Sequence, residues 1–564
     1  MKRLFVILLF FFVISINTFS LSFFDDRNHA ELAREILSSM SDEQALAQTF
    51  MLGWVGAEPS SLILDWIRQR NIGGVKIFGW NTDDTLLLAR AIGTLQNAAL
   101  NTQFSIPLFV ATDQEGGLVR HVKGMTSETP GNMAIGASAV PMDAYWSGFY
   151  IGRELSLLGI NMNFAPAIDL FTRRDSDLIG PRSFGNDPVQ TGILGAAFAR
   201  GLEAQGVIAT AKHFPGHGDT NLDSHGVLPM INVSFETMWE RELLPYRFMI
   251  NEGVNAIMSG HLAFPQTAAG GTPASLSPWF LTDVLRDYMG FSGLIITDDL
   301  LMNGALHYTG SLSRAAQEAI MAGNDIIMLS QTPSLFDPVW NVLVQSMRDD
   351  PFFRNRVMDS ALRIIEKKLK YLRQENHVTF NPDPDKVAQG IPDPQGAVFF
   401  LNLAARSVTF VKDTNDAGER VLPLRPGTAN TATGAASSSG TQASYAGRVL
   451  LAGRYADFFT QGERAFPGAQ TFRFQGRSAE ELLFSSRNAD TVIFCLSGAN
   501  DLAFLRSLRN SGRRVIVFSI LNPNFIEEAR WVDGILAVYS YSRESFIAGF
   551  SAILGRIPAA GRFP

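Results

Sequence analysis

Val207–Gly218 reads VIATAKHFPGHG: an apolar run that passes without a break into a lysine, two histidines, a proline and two glycines. A strand buried on both faces reads as a continuous apolar run. Its polar exit is where parallel α/β proteins collect their chemistry. The same signature recurs on both sides of this stretch. It appears as FMLGWVG (50–56), GGVKIFG (73–79), PLFVATDQEGG (107–117), NMNFAPAIDL (161–170), NAIMSGHLAFP (255–265), GLIITDDL (293–300) and NDIIMLS (324–330). Helix-like segments such as DDTLLLARAIGTLQNAAL, QTGILGAAFARGLEAQ and FETMWERELLPYRFMINE lie between them. Eight runs alternating with helices predict a (β/α)8 barrel over 24–372. A doubly wound open sheet is the alternative, because periodicity does not show closure.

Beyond the barrel, residues 373–395 carry four prolines and read as a linker. A second pattern of strand-like runs follows: SVTFVKD, RVLLAGRY, DTVIFCLSG, RRVIVFSI and GILAVYSY. It predicts a smaller, sandwich-like α/β domain over 396–564, with a low-complexity loop at 427–447. At the other end, Lys2 and Arg3 precede the apolar run Leu4–Ile16. That is the pattern of a signal peptide spanning 1–22, cleaved after Ser20 or Ser22. The expectation is an exported protein, periplasmic or extracellular, that contacts a membrane only if this segment stays uncleaved.

Composition narrows the function. The 564 residues hold 47 Lys and Arg against 54 Asp and Glu, a net charge of -7 with no basic run, so nothing favours a nucleic-acid partner. The single cysteine, Cys495, excludes a disulfide framework and a thiolate metal cluster.

Ionisable groups stand at the exits of five successive runs: Asp113 and Glu115, Asp169, Lys212 and His213, His261, then Asp298 and Asp299. Capping explains single cases of this kind but not five in series. Asp223-Ser224-His225 places a carboxylate two residues from an imidazole, on one side of an extended backbone, a plausible acid/base pair. A loop histidine capping a turn is the plain alternative. His213, His217, Asp219 and His225 are also metal-ligand types. However, Pro215 and Gly216 forbid a helical His pair, and Lys212 opposes a dication. Of the adjacent Asp298 and Asp299, only one enters a barrel mouth easily; the other caps a loop. Arg182 suits either a substrate clamp or a salt bridge.

KHFPGHG followed by DSH, with DQEGG, NFAP, RSFG and IITDDLLM along the chain, resembles glycoside hydrolase family 3, closest to its β-N-acetylglucosaminidases. The resemblance implies Asp298 as nucleophile and His225, oriented by Asp223, as acid/base. It implies Asp113, Arg182, Lys212 and His213 as sugar contacts, and Asp169 in a binding or supporting role. No metal or cofactor is implied, and the partner is a carbohydrate containing N-acetylglucosamine. The expected activity is retaining exo-hydrolysis of terminal β-linked N-acetylglucosamine from peptidoglycan fragments or chitooligosaccharides. The rival readings are a metal-dependent barrel hydrolase, a family 3 β-glucosidase or phosphorylase, and a non-catalytic sugar binder. One departure stands out. The family commonly has arginine eight residues after the aspartate of DQEGG, whereas here that place is His121 and the arginine is Arg120. Either the turn is shifted or a sugar contact has changed.

Overall fold

A computed structural model describes residues 21–173, 176, 178–375, 377–424, 445 and 447–564. Residues 1–20, nearly all of the segment read as a signal peptide, and nearly all of the 427–447 insert lie outside the described residues. Among the described residues no helix is long and apolar enough to cross a membrane.

All eight anticipated runs form strands: β1 (Phe50–Gly53), β2 (Gly74–Ile77), β3 (Phe109–Thr112), β4 (Met162–Asn163), β5 (Ile208–Phe214), β6 (Ala256–Ser259), β7 (Leu294–Asp299) and β8 (Ile326–Leu329). They close into a parallel barrel in sequence order, with β1 pairing both β2 and β8. The open sheet is thereby excluded. Alternation along each strand divides two cores. Met51, Phe109, Ala111, Met258, Ile296 and Met328 point into the barrel. Leu52, Val110, Ile257, Ile295 and Ile327 point out to the helices.

The barrel floor is plugged by two helices, His29–Ser39 and Pro351–Leu372, whose Leu32, Ile36, Ile364 and Leu369 join the inner core. Phe23 is fully buried there, and its N–H donates to the Phe104 carbonyl below β3 at 2.8 Å. Lys368, also fully buried, donates to Gln48 Oε1 at 3.0 Å. Helix starts follow the sequence closely: Ser60, Asp84, Asp187, Ser234, Ser311 and Asp337 each accept from a first-turn amide. The segment read as one helix at 235–252 is two, Phe235–Glu240 and Leu243–Asn251, broken at Arg241.

The C-terminal region folds separately into a six-stranded sheet of β9 (Thr409–Lys412), β10 (Val449–Gly453), β11 (Gln470–Arg473), β12 (Thr491–Leu496), β13 (Arg514–Ser519) and β14 (Gly534–Ala537). The spatial order is β9-β14-β13-β12-β10-β11, parallel except for β9. Five of these runs are legible in the sequence. β11 is not, because it is an edge strand on which only Phe472 is buried. One face of this sheet, through Ala452, Phe494 and Val517, packs in a common cluster with Met133, Ala134, Ala137 and Phe171 of the barrel region. Arg562 N–H donates to the Ala137 carbonyl, and Asn522 Nδ2 reaches Ser176 O. The smaller domain therefore lies against the loop that carries Arg182.

Candidate active site

The polar exits of β2, β3, β4, β5 and β7 converge at the C-terminal mouth. Lys212 and His213 are adjacent on β5, yet both serve the mouth. Pairing with β6 shifts register between Ala211 and Phe214, which breaks strand alternation there. Asp113 follows β3, and the chain turns back in a hairpin of Gln114–Gly116 against Val119–Arg120. Gly116 and Gly117 turn it at φ 89° and 60°. A Cβ on Gly117 would sit 3.0 Å from the Gly131 Cα, so this turn needs glycine. The hairpin returns His121 N–H to the Asp113 carbonyl at 2.9 Å.

A chain of opposite charges crosses the mouth. Lys212 Nζ bonds Asp113 Oδ1 and, at 2.7 Å, Glu115 Oε1. Arg182 holds Glu115 in a fork, Nε to Oε2 at 2.9 Å and Nη2 to Oε1 at 2.7 Å. The same Nη2 lies 3.2 Å from His213 Nε2. Arginine only donates, so Nε2 accepts and the His213 proton sits on Nδ1, 2.7 Å from Asp169 Oδ2. Asp169 also accepts from the backbone N–H of His217 at 2.7 Å. Burial works against ionised Asp113 and Glu115. Lys212 and Lys76 nevertheless hold Asp113 well below the usual carboxylate range, and Arg182 with Lys212 brings Glu115 down to about 2.

Asp298 stands half-buried at the end of β7. Burial opposes its charge, but His213, His261, the Asp299 amide and Lys212 outweigh it and lower its pKa. It is an ionised carboxylate facing the mouth. Asp299 has the other role: its Oδ1 accepts from Leu301 N and Ser330 N at 3.0 and 3.1 Å, tying β7 to the β8 exit. His261 is fully buried between Ser275 Oγ (2.7 Å) and the Asp299 carbonyl (3.0 Å), and it braces the same turn.

His225 Nδ1 lies 2.7 Å from Asp223 Oδ1. The pairing anticipated from sequence is present, but its geometry is a turn rather than extended backbone. Asp223 Oδ1 also accepts from His225 N at 2.9 Å, and its carbonyl accepts from Gly226 N and Val227 N. The imidazole side chain is 70% exposed, so it faces solvent rather than a packed core. The Ser224 carbonyl accepts from Gly304 N at 3.1 Å, which ties the loop to the helix after β7.

The four candidate metal ligands do not converge. His213 uses both ring nitrogens on Asp169 and Arg182, and Asp219 pairs with Arg241 at 2.6 Å. Among the described residues no cluster of three such groups forms. Asp113, Arg182, Lys212, His213 and Asp169 all meet in one network with Asp298 beside it. Within it, Arg182 and Asp169 point chiefly at protein partners and so act as organisers.

Two members of the network were absent from the sequence-derived set of site residues. Glu115, fully buried, is the anion that joins Lys212 to Arg182. Lys76 reaches Asp113 Oδ2 at 2.7 Å from β2. A lysine inside the apolar run GVKI was the signal for it. At the DQEGG departure it is His121, not Arg120, that stands against Asp113. His121 Nδ1 lies 3.5 Å from Asp113 Oδ2, whereas Arg120 turns away to Thr126 O (2.9 Å) and Glu128 (3.1 Å).

The eight-stranded parallel barrel thus carries a carboxylate with a lowered pKa, an Asp–His pair and a polar network at its mouth. Residues 44–366 match the family model for the glycosyl hydrolase family 3 N-terminal domain, and the chain belongs to glycoside hydrolase family 3. It is 30% identical over 380 residues to β-hexosaminidase A of Pseudoalteromonas piscicida, a match covering 64% of this chain and 62% of that protein, less than two thirds of its length. It is 36% identical over 281 residues to the β-hexosaminidase of Tolumonas auensis, covering 49% of this chain and 81% of the relative. The structure of a family 3 β-N-acetylglucosaminidase from a Paenibacillus species superposes with a TM-score of 0.81 at 26% identity, covering 93% of this chain and 99% of that one.

Proposed function

We propose that this chain is an exported β-N-acetylhexosaminidase that releases terminal β-linked N-acetylglucosamine from chitooligosaccharides or peptidoglycan fragments with retention of configuration. The observation that carries this reading is the division of labour between Asp298 and the Asp223–His225 pair. One carboxylate is held ionised at the barrel mouth, and one solvent-facing imidazole is held by its own carboxylate.

In the first step an Asp298 oxygen bonds to the anomeric carbon as the glycosidic bond breaks, and His225 gives its Nε2 proton to the departing oxygen. The Nδ1–H of His225 keeps donating to the Asp223 carboxylate, whose charge stabilises the imidazolium before transfer. In the second step His225 takes a proton from water, the water oxygen bonds to the anomeric carbon, and the Asp298 carboxylate is released. Lys212 and Asp113 grip the glycone with groups already fixed by protein partners, and His213, its ring nitrogens taken by Asp169 and Arg182, lines the site with its ring, so little reorganisation accompanies binding.

The test is release of a phenol from aryl β-N-acetylglucosaminide and β-glucoside, each with and without phosphate. Turnover of the first without phosphate, giving β-N-acetylglucosamine as the initial product by NMR, supports the reading. Preference for the glucoside, an absolute need for phosphate, or an α-configured initial product overturns it.

A further inference from the structure

Lys76 is a charged residue in the middle of an apolar barrel strand, and the mechanism above does not use it. It is fully buried. Its Nζ lies over the Phe78 ring at 4.2 Å and near the Phe164 ring at 5.5 Å. A buried ammonium is unfavourable unless each of its donors is matched. Here the partners are Asp113 Oδ2 (2.7 Å), the Ile77 carbonyl (2.8 Å) and His121 Nδ1 (3.3 Å). Because lysine only donates, His121 Nδ1 accepts and its proton sits on Nε2. Lys212 already occupies the other oxygen of Asp113. The carboxylate is thus held from both sides, with 15% of its side chain exposed at the mouth.

We propose that Lys76 is a positioning residue for glycone recognition: it clamps the second oxygen of Asp113 and aims that carboxylate at a hydroxyl of the bound sugar. His121 completes the clamp, and Arg120 takes no part in it. This inference rests on the glycosidase reading and adds a specificity-determining element to it. A carboxylate held by Lys212 alone can rotate toward the Lys212–Glu115 pair and lose its aim. A carboxylate pinned at both oxygens keeps it in the empty enzyme. Direct contact between Lys76 and substrate is not part of the proposal, because the ammonium is sealed beneath Asp113.

The test compares Lys76→Met, His121→Arg and the double variant with the wild type. Substrates are an aryl β-N-acetylglucosaminide and its glycone-deoxy analogues. Methionine fills the same volume and Asp113 keeps Lys212, so the variant is expected to fold with a near-normal melting midpoint. Lys76→Met should reduce kcat/KM about 10- to 100-fold, mostly through KM, as expected when a charge-assisted hydrogen bond is lost. The loss should shrink for the one deoxy analogue that lacks the hydroxyl Asp113 binds. His121→Arg in the Lys76→Met background should restore most of it, since position 121 already reaches the same carboxylate. An unchanged kcat/KM, or an equal loss on every analogue without rescue, overturns the proposal.

A second readout needs no substrate. His121 faces Lys76, Asp113, Lys212 and Glu115, and burial together with the Lys76 charge keeps its imidazole pKa at about 4. In Lys76→Met its NMR titration should move to higher pH, and an unmoved titration overturns the clamp. Wild-type enzyme inactive on the glucosaminide would overturn the functional reading instead, and the His121 result would still decide the clamp.

Discussion

The two sides of the mouth are built on opposite principles. Where β2, β3 and β5 meet, the charges are buried and every one is spoken for. Lys76, Asp113, Lys212, Glu115, Arg182, His213 and Asp169 form one unbroken series of ion pairs and hydrogen bonds. On the loop after β5 the Asp223–His225 pair is solvent-facing, with the imidazole held by one carboxylate and the loop tied to Gly304 through the Ser224 carbonyl. On the proposed reading the first arrangement recognises, because a fixed constellation discriminates between hydroxyl patterns. The second transfers protons on that reading, because an imidazole must keep access to leaving group and water. Substitutions on the two sides should therefore fail in different ways.

The sharpest break comes where the sides meet. Asp298→Ala should lower turnover about 1,000-fold or more on every glycoside while leaving the melting midpoint close to wild type. A slow fluorinated substrate should label Asp298 in the wild type, and a label on Asp299 would reverse the assignment.

The next effect belongs to the exposed side alone. His225→Ala should slow natural disaccharides by about 100- to 10,000-fold, the range for a general acid, and slow the cleavage of acidic aryl glycosides much less. A covalent adduct on Asp298 should then accumulate and be visible by mass spectrometry. Asp223→Ala should show a weaker form of the same pattern. Equal losses on good and poor leaving groups would assign the pair a structural role.

Glu115→Gln breaks the buried side. Burial raises the Glu115 carboxyl, but Arg182 and Lys212 lower it from the ordinary 4.5 to about 2. Its stabilising effect is complete above 4.5 and is lost as pH falls toward 2, because in that window the unfolded chain takes up a proton that the native state refuses. The variant should melt below wild type near pH 6, with the gap closing toward pH 2. KM should rise as well, because Lys212 and Arg182 lose their shared anion.

The smallest effect lies at the floor, where Lys368 is buried with Gln48 as its one polar partner among the described residues and a ring face of Phe109 5.2 Å away. Burial pushes its ammonium well below the usual lysine range. The unfolded chain binds the proton more readily, so this group makes the native state more stable as pH rises toward 10.5. Lys368→Met should raise the melting midpoint at neutral pH by about 2 °C. A fall would show that the Gln48 bond outweighs desolvation.

The barrel was legible because eight apolar runs carry their own boundaries, and the strand exits were legible because ionisable side chains follow them. Closure was not, since β1 and β8 pair across the whole domain and no local pattern encodes that. Residue type and motif picked out Asp298, His225 and Asp223, and the structure places Asp298 at the end of β7 and pairs His225 with Asp223. Lys76 was hidden because a lysine in an apolar strand looks like an interruption until β3 places Asp113 beside it. Glu115 was visible as a strand-exit acid, but its partners Arg182 and Lys212 come from other strands. The Asp223–His225 contact was anticipated with the wrong backbone: sequence separation gave the pair, and the turn after Leu222 gave the geometry.

Phe23, locked under β3 by the Phe104 carbonyl, fixes a direction as well as a contact. Phe23 stands at the floor, and the mouth that gathers Asp113, Lys212 and Asp298 opens at the opposite end of the barrel axis. The two ends are thereby told apart by what closes them: an aromatic ring at one, charged side chains at the other. A substitution that loosens Phe23 acts on the stability of the floor and leaves the polar network of the mouth in place.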